Sequence, residues 1–509
     1  MVEPPPPPSP GTPDHGPQPE PGSALGSDQP PGPVPPGGRR RSRPILVLGL
    51  ALVTVAIGVL GVLIGSRPAG LTAIASPSPG RAAANPLIAL VDASGALVTV
   101  DSAGTSTVLG SGSGVTYGFP AWSPDGSRVA AVVYGAEDAS IAIFPVQRGE
   151  PRPSAPPAPT IVYRSGAVPP FYLYWTPDGE HVSFLATESN GLSLRVAPAD
   201  GSAPLDGGPG SVIRQGAPLY FDWLGADRIL VHIGTGPSAF LGEVGLDGAA
   251  SGPTLDGSGD FRPAVAGTGG RFIAWVRGGA PAASLVVAAP DGSAEHTTPV
   301  FGPAAIAFDP SGATVATNAG TDPSQAALGF PSGPLRLIDA ASGTVRTLVD
   351  GTIVGFFWSP DGRTIAALRL QAAGGGTVAD RSIVAAAAFA AASPVGSTTP
   401  VSTPGPSAGA TIAPTPGATG GSELHLLFVD VAAGAIRSDR VVRLTSHFIN
   451  QFLPYFDQYA LSHRVWSPDS RSLLLPLVDA AGRDRLTTLP ADGSEAPHPY
   501  DGDIGFWSP

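Results

Sequence analysis

The eight histidines of this chain are the side chains best able to bind a metal or act as general bases near neutral pH. No two have the H-x-x-x-H spacing that would bring two rings to one metal, and none has a carboxylate at a fixed offset. They are scattered from the N-terminal tail to the C-terminal region: His15, His181, His232, His296, His425, His447, His463 and His498. The sequence therefore predicts no metal centre, no cofactor and no catalytic histidine.

Serine and glycine strings are the next candidates for chemistry. A serine hydrolase needs a G-x-S-x-G elbow between a strand and a helix. The nearest string, GSGSG at residues 110–114, has its serines out of phase. Gly267, Gly269 and Gly270 are spaced like part of a phosphate-binding loop, but no helical pattern follows them. We predict no catalytic residues and a non-enzymatic protein.

Four aspartates recur at one position of a repeated S/T-P-D-G/S motif. They are Asp125, Asp178, Asp361 and Asp469. A row of carboxylates is one way to hold calcium. Each aspartate, however, lies in a tight turn where its side chain can accept hydrogen bonds from the following backbone N–H groups. The pattern favours turn capping over metal binding.

Five aromatic residues stand close together in the stretch SHFINQFLPYFDQYALSH, residues 446–463. Their spacings of 4, 3, 1 and 3 place them on one stripe of a helix, which Pro454 would kink. Two interpretations remain open: the stripe packs onto the protein as a lid, or it forms a partly exposed patch that binds a partner. The candidate binding residues are Phe448, Phe452, Tyr455, Phe456 and Tyr459.

A repeated sequence motif predicts the strands and turns that would position these residues. FFWSPDGRTIAALRL, from Phe356, has near copies from Pro120, Leu173 and Arg464 and weaker ones elsewhere, at intervals of roughly 40 to 55 residues. Ser, Pro, Asp and Gly suit a type I turn, and the residues after it alternate as in a half-buried strand. Two further strands follow, so each repeat predicts a four-stranded antiparallel meander.

Periods near 40 to 50 residues with four strands each are typical of the blades of a β-propeller. The chain ends on DIGFWSP, a first strand alone, while residues 86–109 supply three strands without a first. Joined, they complete one blade, which gives an all-β propeller of eight blades, or seven if a weak repeat or this closure is misjudged. Six of the seven tryptophans lie on the repeated anchor, where we expect them to pack between blades.

The N-terminal region differs from the repeats. We predict residues 1–43 to be a disordered, Pro-rich tail that ends in RRRSR. Residues 44–65 are predicted to be a transmembrane helix, because their uncharged apolar run rises roughly 32 Å as a helix, enough to span a bilayer. The preceding arginines place the N-terminus in the cytoplasm. A cleaved signal peptide is the alternative, since AIAS at residues 73–76 resembles a cleavage site.

The other segments complete the predicted domain organisation. We predict residues 66–85 to be a linker and residues 86–509 to be the propeller. Residues 371–422, rich in Ala, Thr, Pro and Gly, are predicted to be a disordered insertion in it.

The charge and the cysteine content exclude some classes of function. With a net charge of −12 and no basic stripe in the repeats, nucleic acid is not an expected partner. The absence of cysteine excludes disulfides, thiol nucleophiles and thiolate metal sites.

The WSPDG anchor and its following strand resemble the repeat of TolB-like β-propellers, which is related to that of WD-repeat proteins. The resemblance covers residues 86–509 without the insertion and implies a propeller fold. Proteins of this kind are commonly envelope propellers that bind other proteins, and similar repeats precede peptidase domains of the prolyl oligopeptidase group. This chain departs from both, with a predicted membrane anchor and no α/β domain at either end, so neither the export role of the family's namesake nor peptidase activity transfers to it.

The functional expectation combines the anchor, the propeller and the aromatic stripe. We expect a monomeric, membrane-anchored extracytoplasmic propeller that binds a protein or glycan of the cell envelope. Strand connectivity puts residues 371–422 and 446–463 on the end of the propeller opposite the SPDG turns. The alternative is a propeller enzyme, a lyase or glycan hydrolase, with scattered acids converging in the central channel.

Overall fold

The computed structural model describes residues 86–148, 157–205, 212–234, 239–255, 264–279, 282–323, 330–372 and 422–509. The described part is mostly β, with 55% strand and one short α-helix. The predicted tail, membrane helix and linker lie outside it, as do residues 373–421 of the predicted insertion. The predicted boundaries of that insertion are too wide at both ends, because Gln371, Ala372 and Ser422 belong to strands. No helix among the described residues is long and apolar enough to cross a membrane.

The described residues form 31 strands. The first sixteen are β1 Ile88–Asp92, β2 Leu97–Val100, β3 Ser106–Gly110, β4 Thr116–Tyr117, β5 Ala121–Trp122, β6 Arg128–Tyr134, β7 Ala139–Pro145, β8 Thr160–Ser165, β9 Pro170–Trp175, β10 His181–Glu188, β11 Gly191–Pro198, β12 Val212–Gly216, β13 Leu219–Trp223, β14 Arg228–Ile233, β15 Phe240–Gly245 and β16 Ala250–Leu255. The others are β17 Ala264–Ala266, β18 Ile273–Gly279, β19 Ala282–Ala288, β20 His296–Val300, β21 Ile306–Phe308, β22 Thr314–Thr317, β23 Gly333–Asp339, β24 Val345–Trp358, β25 Thr364–Ala372, β26 Ser422–Asp430, β27 Ile436–Val442, β28 Ser472–Val478, β29 Asp484–Pro490, β30 His498–Tyr500 and β31 Gly502–Trp507.

Most strands pair with their chain neighbours in antiparallel four-stranded sheets. Three such sheets have the orders β12-β11-β10-β9, β13-β14-β15-β16 and β17-β18-β19-β20, and strands β4 to β8 form a related sheet in which β4 and β5 both pair with β6. A seven-stranded sheet runs from β21 to β27. Its long strand β24 pairs with β23 through Val345–Val349 and again at Ile353, and it pairs with β25 through Thr352–Trp358, so it is shared by two four-stranded groups.

The first and last strands of the chain meet in one sheet of order β3-β2-β1-β31. Ile88 pairs with Trp507 and Val91 pairs with Ile504. The prediction that the terminal strand completes the sheet begun by residues 86–109 is therefore confirmed. Before it, β28, β29 and β30 form a three-stranded sheet, to which Trp466 adds a bridge with Leu473.

The repeated turns follow the chemistry that their sequence predicts. In the turn after β5, the N–H of Gly126 donates to the carbonyl of Ser123 at 2.9 Å, and Gly126 has a φ of 68°, which glycine adopts without strain. The carboxylate of Asp125 accepts from the Ser123 hydroxyl at 2.6 Å and from the Ser127 N–H at 3.0 Å. Asp178, Asp361 and Asp469 make the same pair of contacts. Their predicted role in turn capping is confirmed.

Most anchor tryptophans link one repeat to the repeat before it. In four of them the indole Nε1 donates to the carbonyl that precedes the anchor position of the neighbouring repeat, in the pairs Trp122 to Phe506 at 3.0 Å, Trp175 to Ala121 at 3.0 Å, Trp358 to Ala307 at 3.3 Å and Trp466 to Phe357 at 3.0 Å. Trp223 instead donates to the hydroxyl of Ser183, which donates to the carbonyl of Tyr174. The predicted packing of these tryptophans between repeats is confirmed.

Apolar side chains fill the space between successive sheets. Trp122 packs in one cluster with Ala89 of the preceding sheet. At the other end of the chain, Leu486 of β29 packs with Ile88 of β1. The sheets thus pack face to face in chain order and the last packs against the first, an arrangement consistent with a propeller.

Candidate functional site

Residues 446–463 lie where the first strands of the sheets converge, and we call this segment the axial plug. It forms a π-helical turn Phe448–Phe452, a 3-10 turn Leu453–Tyr455 and the short helix α1 Phe456–Tyr459. Pro454 lies in the 3-10 turn, where no helical hydrogen bond is lost to it. The plug contacts residues in or next to five different sheets: Phe119, Tyr172, Phe221, Ile306, Phe356 and Phe506. It therefore occupies the axis and not one edge of the protein.

The inner side of the plug is a stack of aromatic rings. The ring of Phe448 stacks on that of Phe452 with centroids 4.7 Å apart, and Phe452 stacks on Tyr459 at 5.0 Å. Phe456 meets Phe356 edge to face at 5.2 Å. The three phenylalanines of the plug are no more than 1% exposed. Burial on this scale makes them part of the hydrophobic core.

The five predicted binding residues therefore divide into two groups. Phe448, Phe452 and Phe456 are buried and cannot touch a ligand in this conformation, which agrees with the interpretation of the stripe as a packed segment. Tyr459 is partly buried and Tyr455 is 37% exposed. Binding by these two tyrosines stays a prediction.

Polar contacts fix the plug to neighbouring strands. The hydroxyl of Tyr172 donates to the carbonyl of Gln458 at 2.7 Å, and the Gln458 side-chain amide donates to the carbonyl of Phe221 at 2.9 Å. Tyr172 has a φ of 47°, in the left-handed region that is unfavourable for a tyrosine. It lies at a register shift between β9 and β10. The bulge turns this side chain toward the axis at a cost in backbone strain.

Two carboxyl groups are buried near the plug. Asp457 is 4% exposed, and burial raises its pKa to about 7, although the N–H groups of Gln458 and Ile306 favour the charged form. Asp222 is 2% exposed, and burial raises its pKa to about 7 against the N–H groups of Ala266 and Trp223 and the hydroxyl of Tyr174. The contacts of Asp222 join three neighbouring sheets, which indicates a structural role.

His463 ends the plug inside an aromatic cage. Its ring lies 4.6 Å from that of Phe506, 5.4 Å from that of Tyr459 and 6.3 Å from that of Tyr172. Burial lowers its pKa to about 3, although backbone carbonyls of Phe119 and Tyr459 favour the protonated form. The imidazole is therefore neutral near pH 7, and it closes the space directly inside the plug.

Arg464 and Tyr174 follow in the next layer along the axis. Tyr174 lies two residues beyond Tyr172 in β9, about 6.6 Å further along the strand. Arg464 follows His463 and is exposed, while the next two residues, Val465 and Trp466, are buried. Sequence reasoning missed this pair. The available signal was a charge at Arg464, where the near copies of the repeat carry Pro120, Leu173 and Phe356.

Within the described ranges there is no group of three or more His, Asp or Glu side chains that could hold a metal ion. On the outer side of the plug, Asn450, Gln451 and Tyr455 are exposed. Buried aromatic rings thus close the axis. Side-chain amides and a tyrosine lie on the outer side of the plug, and an arginine lies on its inner side.

Comparison with known proteins gives fold-level similarity only. No protein-family model matches the chain, and no curated protein matches it. Among solved structures, the chain is similar to TolB from Acinetobacter baumannii, with 17% identity, a TM-score of 0.32, and coverage of 52% of this chain and 65% of that one. It is also similar to the dihydro-heme d1 dehydrogenase NirN, at 13% identity and a TM-score of 0.46, covering 82% of this chain and 73% of that one.

A third similar structure is an oligogalacturonate lyase, at 12% identity and a TM-score of 0.35, covering 54% of this chain and 79% of that one. These similar structures include enzymes, and all three TM-scores lie below 0.5. We base no functional conclusion on them. Membership of the TolB-like family stays a prediction.

Proposed function

We propose that residues 86–509 form an eight-bladed β-propeller that acts as a non-enzymatic binding scaffold for a protein or glycan. The eight blades follow from dividing the seven-stranded sheet at β24 and adding the Trp466 bridge to β28–β30. With the composite sheet of β31 and β1, this division yields eight groups. Blade number is measurable by high-resolution electron microscopy of the chain bound to a rigid antibody fragment.

The observation that carries the proposed function is the axial plug. It fills one end of the axis with buried rings and presents Asn450, Gln451 and Tyr455 to solvent. An exposed aromatic ring in the same short segment as two exposed side-chain amides offers an apolar face together with hydrogen-bond donors and acceptors, as recognition of proteins and sugars requires. The amides and Tyr455 therefore support a binding surface at this end.

The alternative is a propeller enzyme, either a lyase or a glycan hydrolase, acting in the central channel. Such an enzyme needs carboxylates or histidines that face a substrate across the channel. Asp222, Asp457 and His463 lie in or beside the plug and are at most 4% exposed, which favours the scaffold over the enzyme. His447 of the plug is partly exposed and pairs with Asp503, so this pair is what an enzyme could use at the plug.

Site-specific photocrosslinking tests the proposed surface. A photoreactive phenylalanine analogue replaces Tyr455 in the full chain, expressed in its native cells, and a second chain carries it at Val441, which is 58% exposed on the outer strand β27. We expect a discrete covalent adduct from position 455 only, with the bound protein or glycan identified by mass spectrometry. Equal adducts at both positions, or none at 455, would contradict the proposed surface.

A substitution and a turnover assay complete the test. Tyr455→Ala should weaken retention of the crosslinked partner by at least about tenfold, because the ring supplies the central apolar contact, whereas Val441→Ala should leave it unchanged. Incubation with an acidic and neutral oligosaccharide library should give no cleavage products. Products that disappear on Asp222→Asn would favour the enzyme instead.

We further propose that residues 44–65 anchor the chain in a membrane with its N-terminus in the cytoplasm and the propeller outside. The charge bias around this segment supports that orientation. A protease added to intact spheroplasts should degrade an epitope placed after Pro509 and spare one placed before Met1. The reverse pattern would contradict the orientation.

A further inference from the structure

Arg464 has an unusual position for a charged side chain. Its backbone is fixed, because its carbonyl accepts a hydrogen bond from the N–H of Trp507 at 2.8 Å. Its side chain is exposed, although it lies one residue beyond the buried His463. Within the described ranges the guanidinium makes no hydrogen bond and no ion pair. Its five N–H donors are therefore available to a ligand.

The surroundings of Arg464 are those of a recess inside the protein. In the layer above, residues from widely separated sheets meet across the axis: His463 contacts Tyr172, and the ring of Phe119 lies 6.2 Å from that of His463. One layer further along, Tyr174 belongs to β9 while Arg464 precedes β28, yet the two side chains interact electrostatically. Arg464 is exposed and Tyr174 is partly exposed, so solvent reaches both residues, and we infer that they line a recess on the inner side of the plug.

The electrostatics of this recess leave a positive charge uncompensated. Burial lowers the pKa of Arg464, and the opposing influence comes from Tyr174 and not from a carboxylate. Burial also raises the pKa of the Tyr174 phenol well above its ordinary value, so the phenol is neutral near pH 7. A guanidinium that still reaches solvent but has no anionic partner can gain a charge-assisted hydrogen bond by pairing with an anion.

We propose that Arg464 binds a carboxylate group in this recess, with Tyr174 forming part of its wall. The fork of a guanidinium matches the two oxygens of a carboxylate and can bind them bidentately. One positive charge is neutralised by one carboxylate, whereas a phosphate dianion would leave an excess negative charge in the recess. The ligand is a small carboxylic acid or the C-terminus of a peptide. This site is distinct from the outer surface of the plug and does not depend on the proposed function.

Thermal unfolding of the purified full chain tests the site. The probes are sodium acetate, sodium phosphate, and a tri-alanine peptide with a free or an amidated C-terminus, each at the same ionic strength as a sodium chloride reference. We expect acetate or the free peptide to raise the melting temperature with saturation, because a ligand that binds only the folded state stabilises it. Arg464→Gln should weaken that binding at least about tenfold.

The controls separate the site from general salt effects. Arg471→Gln removes an arginine whose side chain is 85% exposed, and it should leave carboxylate binding unchanged. If Arg464→Gln does not fold, Arg464→Lys keeps the charge, removes the fork and should still weaken binding. Stabilisation by acetate alone assigns a small acid, and stabilisation by the free peptide alone assigns a chain terminus.

Three results would overturn the proposal. They are no saturable stabilisation by either carboxylate probe, equal stabilisation of the Arg464 and Arg471 variants, and tighter binding of phosphate or of the amidated peptide than of the carboxylates.

Discussion

Single residues at the axis make the stability of this protein depend on pH in opposite directions. Asp457 has a folded pKa of about 7, above its ordinary value of 3.8, so the folded state holds its proton over that interval and its contribution is lost as pH rises. His463 has a folded pKa of about 3, below its ordinary value of 6.5, so its contribution is lost as pH falls. The two effects oppose each other between pH 4 and 6.5.

The substitution Asp457→Asn removes the pH dependence of stability that comes from Asp457 and leaves that of His463. The unfolding free energy of the wild type minus that of the variant should fall as pH rises from about 4 to about 7, by up to roughly 1.4 kcal/mol per pH unit, and stay constant above that. Urea unfolding at a series of pH values measures it. Val441→Ala, which changes no titratable group at an exposed position of β27, is the control and should show no such slope. A difference that rises with pH would contradict the assignment.

At the scale of the elements, the tryptophan links offer an internal comparison. Trp466 and Trp507 occupy the same anchor position and are 3% and 5% exposed. The indole N–H of Trp466 donates to the carbonyl of Phe357, whereas that of Trp507 is buried with no hydrogen-bond partner among the described residues. Trp466 and Trp507 thus differ in the indole hydrogen bond but are buried to a similar extent.

Replacing each tryptophan by phenylalanine removes similar ring volume from both places. Trp466→Phe should lower the free energy of unfolding by about 1 kcal/mol more than Trp507→Phe, since only the first loses a hydrogen bond. Chemical denaturation followed by circular dichroism measures both. Equal losses would indicate that the link contributes nothing.

The elements were largely predictable from sequence because their signals are local and repeated. The turn around Asp125 and the strand after it are specified within about ten residues, and each new copy supports the others. The axial plug was not predictable in the same way. Tyr172 and Gln458 are 286 residues apart in the chain, and their contact depends on which strands converge on the axis. Arg464 has a visible charge, but only the fold shows that it faces a recess.

At the scale of the whole molecule, one strand pair joins the two ends of the described chain. β31 contacts β1 along Ile88–Asp92 and packs against the sheets on both sides. Without β31, the strand β1 would present an unpaired edge, which promotes association between chains. The intact described unit thus depends on its last residues.

Removal of residues 502–509 tests this dependence. We expect the shortened chain to lose cooperative unfolding and to aggregate on warming, as measured by calorimetry and light scattering. A synthetic peptide of residues 500–509 should restore a cooperative transition, and the same peptide with Trp507→Ala should restore it less well, because Trp507 is buried against β1. An unchanged transition in the shortened chain would contradict this role.

Because β31 follows all the other described strands in the chain, the sheet that begins with β1 cannot be completed until residues 502–507 have left the ribosome. Domains generally fold from the N-terminus as they emerge, so β1 keeps one unpaired edge until β31 is available. A premature stop or a proteolytic cut within residues 502–507 therefore leaves the edge of β1 exposed. That exposed edge distinguishes truncated chains from intact ones for the quality-control proteins of the cell.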